Sequence, residues 1–74
     1  MNKERRGELA EIVEQLEIAK DEIESVKTEE EEALYNLPEQ FQTSTNGEKM
    51  QENIDEMDDA ISTIEEVITK LNNL

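Results

Sequence analysis

Met50-Gln51-Glu52-Asn53-Ile54-Asp55-Glu56-Met57-Asp58-Asp59-Ala60-Ile61-Ser62-Thr63-Ile64-Glu65-Glu66-Val67-Ile68-Thr69-Lys70-Leu71 is the stretch that decides the fold. Its apolar residues Met50, Ile54, Met57, Ile61, Ile64, Ile68 and Leu71 alternate steps of four and three without a break. That spacing places them on one seam of an α-helix. Ala60, Val67 and Leu74 line one flank of the seam, and an apolar flank of this kind signals contact with more than one neighbouring helix. The predicted helix covers about residues 45–72, opened by Thr45 with Glu48 as a capping box or by Ser44.

Upstream, Leu9, Ile12, Leu16, Ala19, Ile23 and Val26 recur at steps of three and four, and the frame continues through Glu30 to Ala33 and Leu37. Val13 and Leu34 widen the face. Neither glycine nor proline occurs between Glu8 and Leu37, and the intervening Glu, Gln, Lys and Ala are good helix formers. A first helix over about residues 3–36 follows. It breaks at Leu37-Pro38, because proline lacks an amide donor and pushes the residue before it out of the α region. Residues 37–44 form the connector, with Asn36 and Glu39 placed to cap a short turn. Gln42-Thr43-Ser44-Thr45-Asn46-Gly47 is polar and turn-rich.

Folding about residues 41–42 pairs Leu9 with Leu74, Ile12 with Leu71, Ala19 with Ile64, Val26 with Met57 and Glu30 with Asn53 or Ile54. The expected fold is all-α: an antiparallel two-helix coiled-coil hairpin forming one domain over residues 1–74. Two helices bury only one seam, so Val13, Ile18, Leu34, Ala60 and Val67 stay partly exposed in a lone hairpin. Self-association into a four-helix bundle, a dimer first of all, would cover them. At 74 residues with no cysteine, the chain has no disulfide staple, which makes association the natural remedy for a small core.

Acidic residues number 21 against 7 basic ones, for a net charge of −14. That charge opposes direct nucleic-acid binding and favours a protein partner with a basic surface. The N-terminal residues carry no apolar run of the signal-peptide kind, and no stretch has the apolar length of a membrane span, so a cytoplasmic location without membrane contact is expected. Histidine and cysteine are both missing, which removes the usual general base, thiol nucleophile and zinc ligands. A non-enzymatic chain with no catalytic residue, cofactor or metal is therefore expected. The pairs Glu52/Glu56 and Asp55/Asp59 sit four apart but lack the spaced ligands and turn glycine of a calcium loop.

Two features are candidates for partner binding. Glu29, Glu30, Glu31 and Glu32 form the densest acidic run, and the hairpin brings it beside Glu48, Glu52, Asp55 and Glu56. It serves either as a solvated face or as an electrostatic docking patch. Leu34, Tyr35, Leu37 and Phe41 gather the larger apolar side chains near the connector, as a local core closing the turn or as an aromatic anchor ringed by acid. Glu30 lies on the seam, either snorkelling to water or fixing register.

Asn36-Leu37-Pro38-Glu39, then Gln42 and Gly47-Glu48-Lys49-Met50, resembles the connector of a family of small acidic helical-hairpin proteins of Gram-positive bacteria and their phages or prophages. The resemblance implies a helical hairpin and a mobile-element setting. It implies no activity and no functional residues. The expected role is a protein-interaction or regulatory module. The alternatives are an inhibitor that imitates nucleic acid to block a host DNA-binding or defence protein, and a phage structural or assembly component.

Mutual repulsion of the acids opposes compaction, so added salt or mildly lowered pH should stabilise the fold. The melting temperature should rise from low to moderate salt; a fall would contradict net acidic repulsion as a destabilising force.

Overall fold

The computed structural model describes all residues 1–74. Helix α1 spans Lys3–Tyr35, the short α2 Glu39–Gln42 and α3 Thr45–Asn72. There is no strand, and α1 packs along α3 as an antiparallel hairpin. The rod measures 58 × 15 × 11 Å. Its 5705 Å² of accessible surface exceeds the ~4,700 Å² of a compact monomer of this mass.

Each long helix begins on a side-chain cap. The Arg5 N–H donates to Asn2 Oδ1 at 2.8 Å, and the Gly47 N–H donates to Ser44 Oγ at 3.3 Å. Of the two candidate caps for α3, Ser44 holds the position and Thr45 is the first helical residue. The connector differs from expectation. Asn36 ends α1, its N–H donating to the Glu32 carbonyl at 3.0 Å, and so it does not open the next turn. Pro38 stands at the start of α2 and offers no side-chain cap. Gln42 ties the connector back: its Nε2 donates to the Leu37 carbonyl at 3.0 Å and the Tyr35 carbonyl at 3.4 Å. The Tyr35 carbonyl is among the acceptors that a helix C-terminus leaves without internal partners, and the Leu37 carbonyl lies just beyond the helix end.

Three apolar side chains form the core: Ile54, Ile61 and Ile68, seven residues apart on α3 and 5–7% exposed. Met50, Met57, Ile64 and Leu71 complete the seam and are half-buried. The levels at which the helices meet agree with the expected pairing. Asn53 Nδ2 donates to Glu30 Oε2 at 3.3 Å, and Val26 and Met57 line one groove.

The face that α1 turns to α3 is a correction. Leu9, Val13, Leu16, Lys20, Ile23, Lys27, Glu30, Leu34 and Leu37 are half-buried, a four–three frame. Ile12 is 43% exposed and Val26 53%, and Ala33 is exposed too. Both frames share Leu9, Leu16, Ile23, Glu30 and Leu37. The structure rotates α1 toward Val13, Lys20, Lys27 and Leu34 and leaves Ile12, Val26 and Ala33 on the outer edge, with Ala19 half-buried between. Two causes favour this rotation. Lysine stems cover apolar surface while their ammonium groups reach water or acids. At the turn, Leu34 shares a groove with Gly47 and Ile54.

Gly47 is buried within the first turn of α3. A Cβ there would run into the Gln42 carbonyl oxygen and lie 2.6 Å from the Phe41 carbonyl oxygen. No glycine has positive φ, so Gly47 is required by space, not by backbone conformation. Gly7 has no heavy atom within 4 Å of such a Cβ. Gly47→Ala should therefore cost ~1–3 kcal/mol through overpacking. Gly7→Ala should stabilise by up to ~1 kcal/mol through helix propensity. Denaturant melts of the two variants check this; equal effects would refute the close approach.

Candidate functional site

The hairpin has two unlike flanks because successive helical residues are turned by ~100°. In heptad terms, the seam on each helix is bordered by one row on either side. An antiparallel pair brings like rows together. Glu17, Glu24 and Glu31 of α1 thus share a flank with Gln51, Asp58 and Glu65 of α3. Ile12, Ala19, Val26 and Ala33 share the other with Asn53, Ala60, Val67 and Leu74.

The first flank is a charged ladder. Lys27 Nζ donates to Asp58 Oδ1 at 2.7 Å. Lys20 Nζ lies 3.6 Å from Glu17 and 3.9 Å from Glu65. The hydrogen bond to Asp58 holds the Lys27 pKa above the ordinary lysine value. Desolvation opposes it, and the charges of Asp58, Glu31 and Glu24 add to it. Apolar periodicity misses Lys20 and Lys27 because it counts lysine as polar. The signal that finds them is the pairing level, which sets each four-carbon stem opposite an acid.

The acidic run of the first helix does not stay together. Glu29 and Glu30 line a groove with Val26, Asn53, Glu56 and Met57 on the apolar flank. Glu31 lines another with Glu48 and Gln51 on the charged flank. Glu32 points outward and is exposed. Glu52 and Asp55 are exposed on α3, and Asp55 Oδ1 accepts from Gln51 Nε2 at 3.0 Å. The acids form a collar around the turn half. No three of them converge on a point that would hold a metal ion.

The connector patch also divides. Leu34 and Tyr35 line the Glu31–Glu48 groove together with Gln42, Thr43 and Gly47, whereas Leu37 and Phe41 lie outside it. Leu34 and Leu37 are half-buried, Phe41 is 50% exposed and Tyr35 78%. The aliphatic pair closes the turn, and the aromatic pair stands in solvent.

Neither family models, curated proteins nor solved structures give a match to this chain. No helix is long and apolar enough to cross a membrane.

Because the folded-state pKa of Lys27 is raised, its contribution to stability is present in full below the ordinary value of 10.5 and is lost as pH rises through the folded value. Melting temperature should fall across that alkaline window, and Lys27→Met should remove part of the fall. An identical alkaline drop in both proteins would show that the Lys27–Asp58 pair does not couple to folding.

Proposed function

We propose that this chain is a non-enzymatic protein-interaction module whose turn half docks on a basic surface of a partner protein. The observation that carries this is the uneven charge along the rod. Residues 24–60 hold twelve acidic and two basic side chains, while residues 1–23 and 61–74 together hold nine and five. Of the two cations in the turn half, Lys27 is already paired with Asp58. The negative potential is therefore strongest at the turn. A collar of exposed carboxylates there orients a basic partner before contact and raises the rate of encounter. Tyr35 and Phe41, standing in solvent within the collar, supply the apolar anchor that a charged rim does not. The connector's resemblance to proteins of Gram-positive bacteria and their phages points to a host-cell protein as partner and to a cytoplasmic setting.

Imitation of nucleic acid draws on one observation of its own. Glu48, Glu52, Asp55 and Asp59 recur at steps of four and three along the outer side of α3, all exposed. A row of carboxylates on a rod can occupy a groove built for phosphates.

Capture from host lysate at low and high salt tests both readings. The chain would be compared with a turn variant (Glu29, Glu31, Glu32, Glu48 and Glu52 to Gln) and an open-end variant (Glu4, Glu8, Glu11, Glu14 and Glu66 to Gln). A protein retained by the open-end variant, lost from the turn variant and released by salt is the expected result. Retention by all three would contradict a role for the acidic collar. Release of the captured protein by duplex DNA would favour imitation.

A further inference from the structure

We infer that the apolar flank is the interface for a second copy of this chain, packed face to face about a two-fold axis that sets the two turns at opposite ends. Such a dimer leaves the charged ladder and the collar acids Glu31, Glu32, Glu48, Glu52 and Asp55 free, while Glu29, Glu30 and Glu56 border its face.

The flank is continuous. Ile12, Ala19, Val26 and Ala33 recur every seven residues on α1, and Ala60, Val67 and Leu74 do so on α3. Four of the exposed large hydrophobics fall in these two rows: Ile12 at 43%, Val26 at 53%, Val67 at 39% and Leu74 at 54%. The α1 row extends ~32 Å at ~1.5 Å per residue. The chain carries a net −14, which repels a second copy from every side, so only a face rich in apolar side chains can offset that cost.

Charge selects the orientation. With both turns at the same end, the two acidic halves would lie against each other. With the turns at opposite ends, each acidic half lies against the half that holds Lys3, Arg5, Arg6, Lys20 and Lys70. Sterics agree with the reversed arrangement. Centring the axis between Ala19 and Val26 sets Ile12 against Ala33 and Ala19 against Val26 of the second copy. The same axis, carried to α3 through the observed pairing levels, falls within one turn of Ala60, the small residue of that row. Large meets small at both α1 levels, the condition for helices to approach closely. Glu22 meets its own equivalent near the axis, a repulsion that salt relieves.

The chain has no cysteine, so Thr43→Cys provides a single exposed attachment point at the turn. A nitroxide there reports turn-to-turn distance by pulsed dipolar spectroscopy. In the reversed dimer that distance approaches the 58 Å length of the rod. Distances below about 25 Å, little more than two helix diameters, would overturn the orientation. Sedimentation equilibrium supplies the second reading. The unsubstituted chain should be a dimer, and Val26→Glu and Val67→Glu should each weaken it at least ~100-fold, while Ile18→Glu, on the outward face of α1 about a quarter turn from the flank, leaves it intact. If a glutamate variant fails to fold, seen as lost helical circular dichroism, the spin-label distance alone decides. A chain monomeric at several hundred micromolar, or a dimer indifferent to Val26→Glu and Val67→Glu in folded protein, would overturn the proposal.

Discussion

The contact of Ile54, Ile61 and Ile68 with α1 is the interaction on which the rest of the molecule depends. These are its three buried apolar side chains. Each sits two helical turns from the next, so they fix the rotation of α3. They fix α1 less fully, because α1 offers two apolar frames that share Leu9, Leu16, Ile23, Glu30 and Leu37. The choice falls to smaller forces: the stems of Lys20 and Lys27 lying over the seam, their ammonium groups meeting Glu65 and Asp58, and Leu34 seated beside Gly47 and Ile54 at the turn. Exposed ion pairs are individually weak. Two of them with the turn contact suffice when the competing frame buries only alanine at two of its four distinctive positions.

That choice gives the hairpin its two characters. Rotating α1 toward the lysines builds a charged ladder on one flank and frees Ile12, Val26 and Ala33 for the other. A lone hairpin then carries more apolar surface than its core can use, under a charge that prevents indiscriminate association. Both properties suit the proposed role in contact with other chains, in which partner docking would draw on the acidic collar at the turn and pairing with a second copy on the apolar flank.

Element order and facing levels were legible in the sequence, because hydrophobic period and the Leu37-Pro38 break report backbone geometry directly. The frame of α1 was not. A scale that treats lysine as polar prefers Ile12, Ala19 and Val26 for the seam, although Lys20 and Lys27 cover that seam with methylenes. The acidic run of residues 29–32 looked like one patch because it is contiguous, yet helical rotation sends Glu30, Glu31 and Glu32 to three different sides. Gly47 read as a turn residue; its need for space against the Phe41 carbonyl is a contact across the connector that no local pattern encodes. Asn36 looked free to cap the next turn because the claim of α1's last carbonyls on its backbone is invisible before the helix end is placed.

The most direct test of the central claim is an isotope-filtered nuclear Overhauser measurement on a dimer mixed from carbon-13-labelled and unlabelled chains. The central claim is that α1 gives Val13 and Leu34 to its own hairpin and Ile12 and Val26 to a neighbour. Intermolecular contacts from the methyl groups of Ile12, Val26 and Val67, with only intramolecular contacts from Val13, are the predicted result. Intermolecular contacts from Val13, with none from Ile12, Val26 or Val67, would contradict it.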